Sequence, residues 1–118
     1  MPSKSVVVVD DDQATLRSLE FWLIEAGYDV VSSARFEEAR AYLASHTPDI
    51  LLADVRLGEF NGLQLALFVK GGHPNVVAIV FYDVDDPVLA VEAARCGARF
   101  VRKPETSAGL LECLAESA

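Results

Sequence analysis

The sequence has little cysteine and no long apolar run, and both shortages exclude classes of protein. Its two cysteines, Cys96 and Cys113, lack the paired spacing of a zinc site or a disulfide framework, so we expect buried structural thiols. The longest apolar runs, such as 76–82, are too short to cross a bilayer, and the opening "MPSKS" leads into no signal-peptide core. A soluble cytoplasmic protein without a membrane partner is expected.

Positive charge is also scarce. Ten Lys and Arg residues stand against 18 Asp and Glu residues, which gives a formal net charge of −8 at pH 7. Binding to a nucleic-acid backbone needs a basic surface, so no direct nucleic-acid partner is expected. Hydrophobic residues make up 52% of the 118 residues, which is enough for the core of one domain, and we assign residues 1–118 to it.

Apolar runs alternate with amphipathic stretches along the chain. The run 6–9 is continuous, which is typical of a parallel strand covered on both faces. The strands are predicted at 6–9, 28–33, 47–54, 76–82 and 99–104, and helices are predicted to begin near 13, 36, 63, 87 and 106. Five such units predict an α/β fold: a doubly wound, five-stranded parallel sheet with five helices in three layers.

Capping residues mark several helix ends. Asp12 and Asp86 each precede a helical stretch and are predicted side-chain N-caps, with Pro87 at the first helical position. Gly71 and Gly72 are predicted to end the third helix.

Charged residues follow the carboxyl ends of three predicted strands. Asp10, Asp11 and Asp12 come after the first strand, Asp54 ends the third, and Lys103 lies at the end of the fifth. Open parallel sheets bind ligands at this edge, where the strand order reverses. We therefore expect these acids and the lysine to converge on one rim.

Three consecutive aspartates at a strand end need a counter-charge. Carboxylates about 5 Å apart repel by roughly one to a few kcal/mol in a partly buried site. A helix cap explains Asp12 but needs only one acid, so Asp10 and Asp11 are candidate ligands of Mg²⁺, which prefers oxygen ligands.

Asp54 is a candidate nucleophile. A carboxylate at a strand end, beside a metal and a lysine, can attack a phosphoryl group and form an acyl phosphate. The metal and Lys103 would neutralise the phosphoryl oxygens. Pro104 is a candidate cis peptide that would direct Lys103 inward.

Three segments, in this order and spacing, resemble the receiver domain of two-component response regulators. They are "VVVVDDD" (6–12), "DILLADVRLGEFNGL" (49–63) and "GARFVRKP" (97–104), and the resemblance covers essentially the whole chain. It implies the flavodoxin-like strand order 2-1-3-4-5. It also implies phosphorelay signalling, in which Asp54 accepts a phosphoryl group from a histidine kinase or phosphotransfer protein and the product is a conformational signal. Such a domain is at most self-catalysing and is not otherwise an enzyme.

The resemblance also implies a role for each site residue. Asp11 would bind Mg²⁺ directly, Asp10 would act partly through water, and Asp54 and the backbone carbonyl of Arg56 would complete the metal site. Lys103 would pair with Asp54 or its phosphoryl group. The fourth helix, fifth strand and fifth helix would form a face for partners or self-association.

Two positions depart from the family pattern where the signal is read out. In the family the fourth strand ends in Thr or Ser followed by a small residue, whereas here Tyr82 and Asp83 stand there, and 76–86 contains neither Ser nor Thr. Weak coupling of phosphorylation to the readout is expected. Phe100 matches the aromatic that changes rotamer on activation, with an ordinary core aromatic as the alternative. Gly58 stands where Pro is usual.

Other functions remain open at this point. A pseudo-receiver would use the same fold as a protein-interaction module with weak or phosphorylation-independent output. "VVVVDDDQA" nearly fits a haloacid-dehalogenase-type phosphatase, with Asp10 as nucleophile and Asp12 as general acid. An FMN carrier is disfavoured because no Ser/Thr/Gly-rich loop follows the first strand. The sequence shows no effector domain, so a stand-alone regulator or a fragment is expected.

Overall fold

The computed structural model describes residues 3–117, in which five main strands alternate with five helices. The strands are β1 (Ser5–Val9), β2 (Asp29–Ser33), β3 (Ile50–Asp54), β4 (Val77–Tyr82) and β5 (Ala98–Arg102). The helices are α1 (Gln13–Glu25), α2 (Phe36–Leu43), α3 (Gly62–Gly72), α4 (Pro87–Arg95) and α5 (Ser107–Ser117). A short antiparallel pair, Arg56–Leu57 with Phe60–Asn61, lies between β3 and α3. The predicted last residue of the final helix, Ala118, and the first two residues of the predicted domain lie outside the described residues.

The five main strands form one parallel sheet in the order β2-β1-β3-β4-β5, which confirms the predicted topology. The order reverses between β1 and β3, the place where such sheets bind ligands. The register pairs Val9 with Ala53, Asp54 with Phe81, and Tyr82 with Arg102. The carboxyl ends of β1, β3, β4 and β5 therefore lie close to one another. No helix within residues 3–117 is both long and apolar enough to cross a membrane.

Both faces of the sheet are buried, as the continuous apolar strands predict. One face packs against α1 and α5 through apolar side chains that include Leu19, Leu23 and Leu110. The other packs against α2, α3 and α4, with Leu65 and Ala93 in the interface. Each fully buried Leu contributes roughly 1.5–3 kcal/mol by leaving water. These two interfaces produce the three predicted layers and hold the strand ends in place.

The predicted N-caps of α1 and α4 are confirmed. The Asp12 carboxylate accepts a hydrogen bond from the Thr15 backbone N–H at 3.2 Å. Asp86 Oδ1 accepts hydrogen bonds from two backbone N–H groups at the start of α4, where Pro87 is the first residue. Asp12 is thereby accounted for by a structural role.

The predicted end of α3 is wrong, because the helix continues through Gly71 and Gly72. It ends at His73, whose N–H donates to the Val69 carbonyl at 2.8 Å. The Lys70 ammonium donates to the Pro74 and Val76 carbonyls at 2.6 and 2.9 Å. These bonds hold the last turn against the chain that follows, which offsets the low helix propensity of glycine.

Candidate functional site

The ends of β1, β3 and β5 bring the predicted acids and lysine together. Backbone hydrogen bonds to the neighbouring strand continue just beyond the end of each of these strands. Asp10 N donates to Ser33 O, Val55 N to Phe81 O, and Lys103 N to Tyr82 O. These bonds fix the backbone from which the functional side chains project. Asp10, Asp11 and Asp54 each place a carboxylate oxygen within 4.8 Å of the others.

Lys103 lies between carboxylates from three strand ends. Its Nζ is 2.9 Å from Asp10 Oδ2, 3.5 Å from Asp54 Oδ1 and 3.9 Å from Asp83 Oδ1. Burial disfavours the charged ammonium, but its contacts with Asp10, Asp54 and Asp83 outweigh that cost and raise the pKa of Lys103. The lysine is therefore a permanent positive charge at the centre of the site.

The predicted cis peptide before Pro104 is wrong. The described residues contain no cis peptide bond, so the Lys103–Pro104 bond is trans. The Lys103 ammonium reaches Asp10 from this trans backbone, which the hydrogen bond from Lys103 N to Tyr82 O holds in place. The ordinary trans preference of the peptide bond is therefore kept, and Lys103 points inward without isomerisation.

Asp10 is a fully buried carboxylate held by a backbone N–H and by Lys103. Asp10 is fully buried, and its Oδ1 accepts the Asp12 backbone N–H at 2.9 Å. Its Oδ2 lies 2.9 Å from the Lys103 ammonium, which Asp54 and Asp83 share. Three clustered carboxylates around one shared ammonium leave an excess of negative charge, which favours a further cation. The three clustered carboxylates are the oxygen donors that Mg²⁺ prefers, so the residues present fit this ion.

Burial raises the pKa of Asp54 to about 6, and the charges of Asp10 and Asp11 act in the same direction. The charge of Lys103 opposes this shift but does not cancel it. In the absence of a metal, the ionised carboxylate is therefore unfavourable in the folded protein. A divalent cation would remove that cost and leave Asp54 ionised as a nucleophile requires.

The raised pKa of Asp54 predicts a pH-dependent effect of Asp54→Asn on stability. The folded state binds the proton more tightly than the unfolded state, whose pKa is near 3.8, so wild-type stability falls as the pH rises from 3.8 to about 6. Without divalent metal, Asp54→Asn should be more stable than wild type by about 1–2 kcal/mol near pH 7.5, after allowing for solvent screening, and about equal near pH 4. Urea unfolding in EDTA at both pH values measures this difference. Asp83→Asn is the control: its carboxylate is exposed and 3.9 Å from Lys103, so its loss should change stability by no more than about 0.5 kcal/mol at either pH. An Asp54→Asn protein less stable than wild type near pH 7.5 would contradict the prediction.

The segment after Asp54 is shaped by two glycines. Gly58 has a φ of +66°, which proline cannot adopt, so the departure from the family pattern at this position builds the tight turn between Leu57 and Phe60. A Cβ on Gly62 would clash with the Asp54 carbonyl oxygen, so α3 begins directly against the end of β3. The turn also aims the Gly58 N–H at Asp11 Oδ2, 3.4 Å away.

Two of the predicted switch positions lie at the end of β4, and the third lies on β5. Tyr82 is half-buried and Asp83 is exposed, at the end of β4. Phe100 is half-buried against Val80 and the other side chains between the sheet, α3 and α4. The contact of the Arg56 guanidinium with Tyr82 was not predicted, because it joins residues 26 positions apart and leaves no local pattern.

Metal affinity should distinguish Asp11 from Asp12. Asp11→Asn should weaken Mg²⁺ binding roughly tenfold or more, because it removes a direct charged ligand, whereas Asp12→Asn replaces one N-cap by another and should change it little. Mg²⁺ titrations of both variants, followed by Trp22 fluorescence or amide chemical shifts, measure the two affinities. Equal losses in the two variants would contradict these roles.

Comparisons with known proteins identify the family of the chain. Residues 6–115 match the family model of the response regulator receiver domain. The DNA-binding transcriptional regulator NtrC of Salmonella typhimurium is 39% identical over 93 residues, which cover 79% of this chain and 20% of NtrC. The polar-differentiation response regulator DivK of Brucella anthropi is 25% identical over 105 residues, which cover 86% of this chain and 85% of DivK. The chain thus spans about a fifth of the length of NtrC.

Solved structures show the same fold. A CheY-like response regulator receiver domain protein from Methanospirillum hungatei superposes with a TM-score of 0.89 at 27% identity, covering 98% of this chain and 93% of that one. The chemotaxis response regulator CheY4 of Vibrio cholerae superposes with a TM-score of 0.91 at 22% identity, covering 99% of this chain and 100% of that one.

Proposed function

The chain belongs to the response regulator receiver domain family, and from this membership we propose that it is a phosphoacceptor in phosphorelay signalling. Asp54 takes a phosphoryl group from a histidine kinase or a histidine phosphotransfer protein, with Mg²⁺ as cofactor. The protein then relays a conformational signal to a partner. We assign residues 1–118 to a single receiver domain.

One observation carries this proposal: the Lys103 ammonium lies between the carboxylates of Asp10 and Asp54, and Asp11 adds a third carboxylate to the same cluster. The carboxylates come from β1 and β3, and the lysine follows β5, so the arrangement depends on the whole sheet. It provides a nucleophile, a fixed cation and oxygen ligands for a second cation within a few ångströms, which is what phosphoryl transfer requires.

The chain's own residues then have defined roles. An Asp54 carboxylate oxygen attacks the phosphorus of a phosphohistidine, the P–N bond breaks, and its electron pair stays with the imidazole of the donor. Lys103 neutralises charge on the phosphoryl oxygens. Asp10, Asp11, Asp54 and the backbone carbonyl of Arg56 would hold Mg²⁺, which supplies further charge neutralisation when bound.

The signal is proposed to leave through α4, β5 and α5. Phe100 on β5 packs between the sheet and α4, where a change of rotamer would alter the packing of the helix. The outer side of α4 exposes Val88 and Val91, and Arg99 on β5 pairs with Glu116 on α5 at 3.0 Å. We propose this face as the surface for a partner or for self-association.

A pseudo-receiver is the second candidate, and Asp83 is the observation in its favour. This carboxylate is 80% exposed and 3.9 Å from the Lys103 ammonium, where it adds negative charge to the site that would receive a dianionic group. The hypothesis of a haloacid-dehalogenase-type phosphatase is disfavoured. Asp12, which would be the general acid of such an enzyme, instead binds Thr15 as the N-cap of α1.

Incubation of the whole chain with a small phosphodonor tests the proposal. With Mg²⁺, intact mass should show the addition of one phosphoryl group, and with EDTA it should show none, because the carboxylate cluster then lacks its second cation. A protein that stays unmodified in Mg²⁺ and with a histidine phosphotransfer donor would support the pseudo-receiver.

A further inference from the structure

The side chain of Arg56, two residues after Asp54, contacts the side chain of Tyr82. Arg56 Nη2 donates a hydrogen bond to Tyr82 Oη at 2.6 Å, and the Arg56 Cζ lies 5.2 Å from the centroid of the Tyr82 ring. The hydrogen bond and the cation–π contact both hold the guanidinium in place. Arg56 follows β3 and Tyr82 ends β4, so the contact bridges the exits of two neighbouring strands.

Arg56 has no anionic partner in the described structure. Within residues 3–117, ion pairs occupy Arg95, Arg99 and Lys103, and no carboxylate lies within 4.0 Å of the Arg56 guanidinium. Its hydrogen-bond acceptor is the neutral Tyr82 hydroxyl. The guanidinium is therefore a positive charge that is held in position without being neutralised.

The rim beside Arg56 is short of positive charge. The single ammonium of Lys103 is shared by the carboxylates of Asp10, Asp54 and Asp83, and Asp11 adds a further one to the cluster. A phosphoryl group on Asp54 would add more negative charge at the same place. Arg56 is two residues after Asp54, so their Cα atoms are at most about 7 Å apart.

We propose that Arg56 is a second phosphoryl-binding cation, which Tyr82 holds until Asp54 is phosphorylated. The inference rests on the proposed function. The Tyr82 hydroxyl is a neutral acceptor, whereas phosphoryl oxygens carry negative charge and add coulombic attraction to the hydrogen bond. The planar guanidinium also matches the geometry of phosphoryl oxygens and can donate to two of them. A phosphoryl group on Asp54 therefore draws Arg56 away from the Tyr82 hydroxyl.

The transfer of the Arg56 hydrogen bond from Tyr82 to the phosphoryl group connects Asp54 to the segment between β4 and α4. Tyr82 is the last residue of β4, and the chain runs from it through Asp83 to α4. Loss of the Arg56 hydrogen bond frees the Tyr82 ring at the base of this connection. The start of the β4–α4 segment thus responds to phosphorylation through Arg56.

Binding of beryllofluoride, a mimic of the phosphoryl group, tests the proposal in the presence of Mg²⁺. Arg56→Ala should weaken binding roughly tenfold or more, the loss of one charge-assisted hydrogen bond. Tyr82→Phe keeps the ring but removes the competing acceptor, so it should strengthen binding roughly two- to fivefold. In the Arg56→Ala background, Tyr82→Phe should have no effect, because there is no guanidinium left to release.

Arg40→Ala is the matched control. The Arg40 guanidinium lies 4.7 Å from the centroid of the Phe68 ring, so the variant removes the same kind of contact at a distance from Asp54. It should leave beryllofluoride binding unchanged. Arg56→Ala should also keep wild-type Mg²⁺ affinity, since only the backbone carbonyl of Arg56 is assigned to the metal.

Side-chain NMR gives a readout independent of affinity. The Nη signals of Arg56 should shift on addition of beryllofluoride, together with the ring signals of Tyr82, while those of Arg40 stay in place. Two results together would overturn the inference and leave the proposed function intact. In the first, Arg56→Ala binds beryllofluoride as tightly as the wild type does. In the second, the Arg56 signals of the wild type do not shift when beryllofluoride is added. A wild-type protein that binds no beryllofluoride and accepts no phosphoryl group would overturn both.

Discussion

Asp54→Asn should abolish the proposed phosphorylation, so we expect no phosphoryl adduct on this variant after incubation with a small phosphodonor and Mg²⁺. The amide that replaces the carboxylate lacks a nucleophilic oxygen of comparable strength, and no acyl phosphate can form on it. Asp54 is the last residue of β3. Its Oδ1 lies 3.5 Å from the Lys103 Nζ, which is also 2.9 Å from Asp10 Oδ2. The measurement is intact mass, followed by mapping of the modified peptide in the wild type.

The Asp10→Asn variant distinguishes the roles of the two carboxylates that flank Lys103. It keeps the Asp54 nucleophile and removes one oxygen ligand and one buried charge, so phosphorylation should be slower but should still occur at Asp54. An adduct that persists in Asp54→Asn, or that maps to Asp10, would favour an aspartate-nucleophile phosphatase.

Lys103→Met should have the largest effect on stability. The Asp10 side chain is 1% exposed, and the substitution removes the ammonium that lies 2.9 Å from its buried carboxylate. Asp54 loses the same cation. Removing one partner of a buried pair costs about 3–5 kcal/mol, a large part of the roughly 5–15 kcal/mol that stabilises a typical domain. Urea unfolding in EDTA should show this loss, and Mg²⁺ should restore part of it, because a second cation then reaches the same carboxylates.

Arg102→Met is the matched control for this experiment. Arg102 precedes Lys103, is exposed, and makes no ion pair within the described part of the chain. Its replacement should change stability by no more than about 0.5 kcal/mol. A Lys103→Met protein as stable as wild type in EDTA would show that Asp10 does not depend on the lysine.

The architecture could be predicted from the sequence because its signals are local. A continuous apolar run such as 6–9 indicates a strand buried on both faces, and a repeated strand–helix rhythm admits few topologies. The convergence of Asp10, Asp54 and Lys103 followed from one rule, that parallel strands end at the same edge of a sheet. Asp12 could be assigned to a cap because capping depends on residues within one turn.

Other features were decided by contacts between distant residues. The extension of α3 through its glycines is accompanied by contacts of Lys70 with the Pro74 and Val76 carbonyls, which lie beyond the end of the helix. The turn at Gly58 requires a positive φ that became evident only from the pairing of Leu57 with Phe60.

By itself, the sequence determined the β/α order, the faces of the strands and the identity of the acids at their ends, because periodicity and capping act over a few residues. Only the tertiary structure decided which partner each charged group has. Lys103 is shared by three carboxylates, and Arg56 contacts Tyr82 from 26 residues away. These partners depend on how β3, β4 and β5 lie side by side, and the electrostatics of a buried site depend on distances that no local pattern encodes.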